Sequence, residues 1–290
     1  MILTANLFIK KKMQTEDDIR KYVSDIATYV PYVDKLIIYN MTKEDLTPFL
    51  KSIARYQNID YAECEDLGEV TNYKRAMIQA QKENADYTVI LEQDYFYEPD
   101  VFLSLKRMLL DWQGTPPAVL SAFPKFTCEM FSPSTEELRT VKGVHLVGTF
   151  INVKDYFEGE GFLDIYYETT FDYDYCITAR INGKKIYVAN NLVIRNRNYK
   201  IISKKILTFE VSSYEKEPTK LYYETRNRYY LWEKFKNLDP EYINIDKKLF
   251  KGELKEMNIC DPARLYKKDI MEEARKDAVR GNMGKKETRY

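Results

Sequence analysis

The strongest constraint on how this chain can fold is a repeated change of hydrophobic period. Short apolar runs recur at 2–9 (ILTANLFI), 35–40 (KLIIYN), 87–94 (YTVILEQD), 118–123 (AVLSAF), 144–151 (VHLVGTFI) and 184–190 (KKIYVAN), each the length of a strand. Between the first three, the period lengthens to that of a helix. TEDDIRKYVSDIATYV begins with Thr15 and acids, as a helix start does, and places Ile19, Tyr22, Val23, Ile26 and Tyr29 or Val30 on one face. TKEDLTPFLKSIARY and TNYKRAMIQAQKEN read the same way. Strands alternating with helices of this length make βαβ units. The expectation is an α/β fold with a mainly parallel sheet flanked by helices, binding its ligand beyond the carboxyl ends of the strands.

The alternation weakens after residue 110, where DWQGTPP marks a turn, and 124–143 reads as a loop-rich excursion. From about residue 219 the chain is helical again and dense in charged and aromatic residues. With 290 residues it can bury a full core as one large domain, or as one domain with a helical extension. Lys and Arg number 45, as do Asp and Glu, so the formal charge is zero and the basic footprint of a nucleic-acid binder is missing. Nucleic acid is not an expected partner. Cys64, Cys128, Cys176 and Cys260 lie far apart without C-x-x-C spacing, which fits reduced thiols rather than a zinc or redox motif. The first apolar run reaches Lys10-Lys11-Lys12 too soon for a signal peptide, and no apolar span of membrane length occurs. A cytoplasmic protein is expected, soluble or peripheral at a membrane.

Three clusters carry chemistry. In TVILEQD the side chains of a strand alternate, so Glu92 and Asp94 share one face while Gln93 points to the other. Two carboxylates at a strand's carboxyl end suit a hard cation, Mg2+ or Mn2+, sharing its shell with substrate phosphates; the plainer reading is that they solvate the strand end and cap the helix that starts near Pro99. In ETTFDYDYC, Thr169 and Asp172 stand three apart, the spacing of a capping box, while an aspartate among Tyr167, Phe171, Tyr173 and Tyr175 also suits a partly desolvated base. Asp172 and Asp174 are two apart and cannot face each other on a helix, so one of them at most reaches a site. In LYYETRNRYYLWEKF, Tyr222, Arg226 and Tyr229 form one helical stripe, with Tyr223, Asn227 and Tyr230 beside it. Such a stripe is a core face, or else a surface that stacks sugars or meets a membrane. The chain has neither G-x-G-x-x-G nor Walker A, and its one histidine, His145, rules out H-E-x-x-H and reads as a packed residue inside the VHLVG run.

Taken together, these segments resemble the family-2 glycosyltransferases, and most closely their bacterial rhamnosyltransferase-like branch. The resemblance is carried by YVDKLIIYN, DLGEVTNYKRAMIQAQKENADYTVILEQDYFYEPDVF, FDYDYCITARINGKKIYV, LYYETRNRYYL and the closing IMEEARKDAVRGNMGK, and so spans nearly the whole chain. It implies a GT-A fold, a Rossmann-like mixed sheet, with residues 1–215 as the catalytic domain and 216–290 as a helical extension. The nucleotide-sugar half would run to about 115 and the acceptor half from 116. It implies Asp172 as general base, with Asp66, Asn72, Arg75, Glu92 and Gln93 along the nucleotide-sugar. Asp94, Glu92 and Asn196 would hold Mg2+ or Mn2+, and Tyr222 and Arg226 would meet the acceptor. The implied activity is inverting transfer of a sugar, rhamnose favoured, from a nucleotide diphosphate to a surface polysaccharide or lipid-linked glycan. The aromatic C-terminal helices are where a peripheral membrane contact or a homodimer is looked for. The sequence departs from the pattern at Glu92, usually aspartate; at Tyr39, usually an acid; at Asn196, near the usual histidine; and at Thr178, where arginine is expected. Two other readings stay open here. One is a sugar-phosphate nucleotidyltransferase, although NLFIKKKMQ lacks the glycines of its phosphate loop. The other is a non-catalytic glycan-binding scaffold.

Overall fold

The structure is a computed structural model that describes residues 1–125, 135–198 and 200–287. Its centre is a nine-stranded mixed sheet. The strands are β1 (Leu3–Ile9), β2 (Lys35–Asn40), β3 (Ile59–Glu63), β4 (Tyr87–Glu92), β5 (Tyr95–Tyr97), β6 (Val119–Pro124), β7 (Leu138–Thr140), β8 (Thr149–Asn152) and β9 (Ile186–Asn196). They lie in the order β3-β2-β1-β4-β8-β6-β9-β5, with β7 also on β9. The first four are parallel, β8 is antiparallel to β4 and β6, and β6 and β9 are again parallel.

The helices are α1 (Glu16–Ala27), α2 (Thr47–Ile53), α3 (Glu69–Lys82), α4 (Val101–Leu110), α5 (Val153–Glu158) and α6 (Phe171–Ile181). Side-chain alternation sorts them onto two faces. Leu3, Ala5, Leu7 and Ile9 of β1, with Leu36 and Ile38 of β2, pack under α1, α2 and α4, while Phe8, Ile37 and Tyr39 pack under α3, α5 and α6. Every residue of β1 is buried, as a parallel strand covered on both faces requires. Thr15 caps α1 in a reciprocal box with Asp18.

Beyond β9 come a hairpin, β10 (Ile201–Ile206) and β11 (Phe209–Tyr214), and three long helices, α7 (Pro218–Phe235), α8 (Pro240–Cys260) and α9 (Arg264–Arg280). A further core of Leu231, Trp232, Phe235, Tyr242 and Phe250 joins α7 to α8, and Ile177 of α6 belongs to it, tying the helical layer to the sheet.

Some local expectations are corrected. The VHLVGTFI run is a strand only from Thr149, because Gly148 turns the chain with a φ of 65° and a Cβ there would lie 2.0 Å from Ile194 Cδ1. His145 therefore sits in the irregular segment before β8. The helix of TKEDLTPFLKSIARY is confined to Thr47–Ile53, with its proline in the first turn. β3, β5, β7 and the hairpin carry no strong apolar run, and all four are short or exposed pieces. Within the 124–143 excursion β7 is ordered, while residues 126–134, Cys128 among them, lie outside the described residues.

Candidate active site

The parallel half of the sheet changes direction of growth at β1, with β2 on one side and β4 on the other. A crevice must open there, beyond the carboxyl ends of β1 and β4. The structure has a cleft of about 590 Å³ at that place, lined on its other side by α7 and α8. Lys10 and Lys11 enter it from the end of β1, Glu92, Gln93 and Asp94 from the end of β4, and Asn196 from the end of β9.

The alternation expected for TVILEQD has a definite outcome. The Lys10 ammonium donates to Glu92 Oε1 at 3.0 Å, and the Lys11 ammonium to Asp94 Oδ2 at 2.6 Å. Gln93 is buried and clasps the Lys11 backbone, its Oε1 accepting from Lys11 N at 2.9 Å and its Nε2 donating to Lys11 O at 3.0 Å. It locks the two strand ends together and thereby fixes both lysine–carboxylate pairs. Burial works against the Lys10 charge, but Glu92, Glu69 and Asp66 outweigh it and leave the ammonium firmer than usual.

The expected cation site is not assembled by this arrangement. Both of its carboxylates are neutralised by lysines, and Asn196 Oδ1 accepts from Asn198 N at 2.8 Å. No three Asp, Glu, His or Cys groups converge on one point among the described residues. The donor set Asp94, Glu92 and Asn196 thus does not fit Mg2+ or Mn2+ as arranged. Arg195 and Arg197 are also engaged, with Glu98 and Asp25 respectively.

Asp172 departs from the capping-box expectation. The residue before α6 is Thr170, in the left-handed region at φ 69°, with no side-chain cap, and Thr169 precedes it at φ 51°. Two successive β-branched residues in that region cost roughly 1–3 kcal/mol each. The turn is held from outside, since Thr169 N donates to Glu69 Oε2 at 2.7 Å. Freed from capping, Asp172 turns inward; its Oδ2 meets His145 Nδ1 at 2.6 Å and its Oδ1 accepts from Tyr173 N at 2.9 Å. Asp174 faces away and is tied to Lys234 at 2.8 Å and to the Tyr166 hydroxyl at 2.9 Å. Burial and the neighbouring Glu92 push the Glu69 carboxyl up to about 7.

The remaining expected residues fall into two groups. Asp66, after β3, accepts from Gly68 N at 3.1 Å and from the buried Asn72 at 2.7 Å, while Arg75 reaches Glu65 O at 3.5 Å. Asn72 is thus a brace for an exposed Asp66 on the Lys10 side of the cleft. Tyr222 and Arg226 are each only 1 % exposed and do not border the cleft. The Tyr222 hydroxyl donates to Asp277 at 2.6 Å, and Arg226 donates to Gly284 O at 2.7 Å while lying over the Tyr223 ring. They cannot touch an acceptor in this geometry. Tyr222 and Tyr223 of the aromatic stripe pack against Ile270 and Ala274 of α9, while the half-buried Tyr229 meets Phe250 of α8 and Tyr230 meets Tyr166.

Sequence reasoning missed Lys10, Lys11, Lys220, Glu69 and His145 as site residues. Lys10 and Lys11 follow a strand's carboxyl end just as Glu92 and Asp94 do, so the same rule would have found them. Lys220 borders the cleft and forms no ion pair among the described residues. The far wall is a buried ion cluster in which Arg228 grips Glu253 through two 3.0 Å bonds and Lys216 bridges Glu224 and Glu253 at 2.7 Å each.

No sequence-family model and no curated protein matches the chain by sequence. Its fold, however, is shared with solved structures. Staphylococcus aureus TarS superposes with a TM-score of 0.58 at 11% identity, covering 97% of this chain and 49% of that one. TarS 1–349 in complex with UDP-GlcNAc gives 0.56 at 10% identity, over 97% of this chain and 81% of that one. GalNAc-T7 with UDP, GalNAc and Mn2+ gives 0.55 at 10% identity, over 96% and 56%. This chain spans about half the length of the first. The shared architecture is the GT-A type, a Rossmann-like sheet flanked by helices with a helical C-terminal part.

Proposed function

We propose that this chain is a glycosyltransferase that moves a sugar from a nucleoside diphosphate donor to a hydroxyl acceptor with inversion. The observation that carries the reading is the cleft at the sheet's switch point. It gathers lysine side chains and the partly exposed His145, itself paired with the buried Asp172, in a fold shared with proteins solved with UDP-GlcNAc or UDP. In-line displacement at an anomeric carbon needs a proton acceptor beside the incoming hydroxyl and positive charge beside the departing diphosphate. The Asp172–His145 pair serves the first need. Lys220, which no carboxylate pairs among the described residues, serves the second, joined by Lys10 and Lys11 when the diphosphate takes the place of their Glu92 and Asp94 partners. Asp66, braced by Asn72, lies along the nucleotide. On this reading residues 1–215 are the catalytic unit, and α7 and α8 of the 216–290 extension form the cleft's outer wall. Rhamnose as the sugar, and a surface or lipid-linked glycan as the acceptor, follow from the sequence resemblance.

The test is incubation of the purified protein with a panel containing UDP-GlcNAc and dTDP-rhamnose, with calorimetry of UDP and dTDP in parallel. We expect one donor to be consumed and its nucleoside diphosphate to bind with or without EDTA. Lys11→Ala should weaken that binding roughly tenfold or more, the worth of one charge-assisted contact. Absence of both binding and turnover would sink the reading; binding that vanishes in EDTA would sink the lysine assignment alone.

A membrane-attached acceptor would place the protein at a bilayer surface. No helix among the described residues is long and apolar enough to cross one. The tip of the β10–β11 hairpin offers an attachment point, with Leu207 89% and Phe209 74% exposed beside Lys204 and Lys205. Flotation with anionic vesicles should be lost in a Leu207→Ser, Phe209→Ser variant. Undiminished flotation would place the contact elsewhere.

A further inference from the structure

The proposed proton acceptor is a pair, and the two members are not equally placed. The Asp172 side chain is 6% exposed and does not border the cleft. His145 is 36% exposed in its side chain, borders the cleft, and is the member of the pair that reaches the space a substrate would fill. We infer that His145, and not Asp172, takes the proton from the acceptor hydroxyl, and that Asp172 is a positioning residue acting through it. This inference rests on the transferase reading above and assigns the base within it.

The local geometry supports the division of roles. The Nδ1–Oδ2 contact of 2.6 Å directs a His145 Nδ1–H at the carboxylate, leaving Nε2 as the nitrogen with basic character in the neutral ring. The ring is also held edge-on by Tyr173, at 5.2 Å between centroids. In the step itself the acceptor O–H bond breaks and its proton goes to Nε2. The acceptor oxygen bonds to the anomeric carbon, and the bond from that carbon to the diphosphate oxygen breaks with its electron pair. The imidazolium that forms is stabilised by Asp172 and returns its proton to solvent.

The charged groups facing His145 come from three elements: Asp172 on α6, Glu69 on α3 and Lys220 on α7. Burial and Lys220 oppose the imidazolium, but Asp172 and Glu69 outweigh them, so the ring holds its proton to a higher pH than usual. A histidine base must be neutral, so transfer should rise with pH through that raised pKa. A carboxylate base would instead leave activity level down to the ordinary carboxylate range near 4.

His145 is the only histidine in the chain, so its imidazole signals in a proton–nitrogen NMR spectrum need no assignment. Titration of the wild type should give a midpoint above the ordinary 6.5, and Asp172→Asn should lower it. With the donor that the panel identifies, His145→Gln should cut kcat by roughly 100-fold or more, with UDP or dTDP binding unchanged. Asp172→Asn should cut it less and move the acid limb of the kcat/KM profile to lower pH. The inference is overturned if His145→Gln transfers at the wild-type rate, or if the His145 midpoint ignores Asp172→Asn. A wild type that neither binds nor consumes any donor overturns the transferase reading instead, whatever the titration gives. Nucleotide binding by each variant certifies its fold.

Discussion

Gly68 stands where β3 hands the chain to α3, at a φ of 93° that a side chain rarely adopts. A Cβ there would lie 2.5 Å from Tyr167 Cε2, in the ring that also packs on Tyr223. Both strain and contact act at one position, so Gly68→Ala should destabilise the protein by about 1–3 kcal/mol, read as a lower urea midpoint. An unchanged midpoint would show that Tyr167 moves aside at no cost. The same residue helps to place the proposed nucleotide contact, because its N–H holds the Asp66 carboxylate. His145 shows the opposite relation between sequence and structure. Set in an apolar run, it reads as packing, and only the turn at Gly148 and the rotation of Asp172 away from its capping role bring it to the cleft.

α7 is the element that connects the distant parts of the site. Asn227 Nδ2 donates to Glu168 O at 2.5 Å and to Thr169 O at 3.2 Å, gripping the left-handed turn that aims Asp172. Its neighbour Arg226 holds Gly284 O beyond α9. The Arg226-Asn227 pair therefore buckles two segments together rather than facing a ligand. Asn227→Ala removes the donor from two part-buried carbonyls, a loss of about 1–3 kcal/mol. It should also lower donor turnover more than nucleotide binding, since the turn carrying Asp172 loses its outer support. Turnover that falls only in proportion to binding would show that the turn holds without α7. At this scale the apolar periodicity of α1 and α3 was legible in the sequence. The face of α7 was not, because tyrosine and arginine suit a core lined with acids and carbonyls as well as they suit a surface.

Across the whole molecule, the helical layer is fastened by charge as well as by its apolar core. Burial alone would raise the Glu253 carboxyl, but Lys216 and Arg228 overcome it and bring its pKa down to about 2. A carboxyl depressed in the folded state stabilises the fold above its ordinary pKa of 4.5, and that contribution disappears as the pH falls from 4.5 through about 2. Acid titration followed by near-ultraviolet circular dichroism should show tertiary signal from Trp232 and Tyr242 lost in that window. Glu253→Gln should lower stability at neutral pH by about 3 kcal/mol and flatten the acid dependence; an unaltered acid profile would remove Glu253 from the account. The alternation of strand and helix periods determined the α/β class, the carboxyl-end location of the site and the candidacy of Glu92, Asp94 and Asp172, because those depend on local spacing and strand direction. Tertiary structure decided what each contacts: lysines from β1 pair with the acids expected to hold a cation, Tyr222 and Arg226 are buried away from the cleft, and the one histidine, paired with Asp172, borders it. Such pairings join residues tens of positions apart, and only packing chooses among the partners a sequence allows.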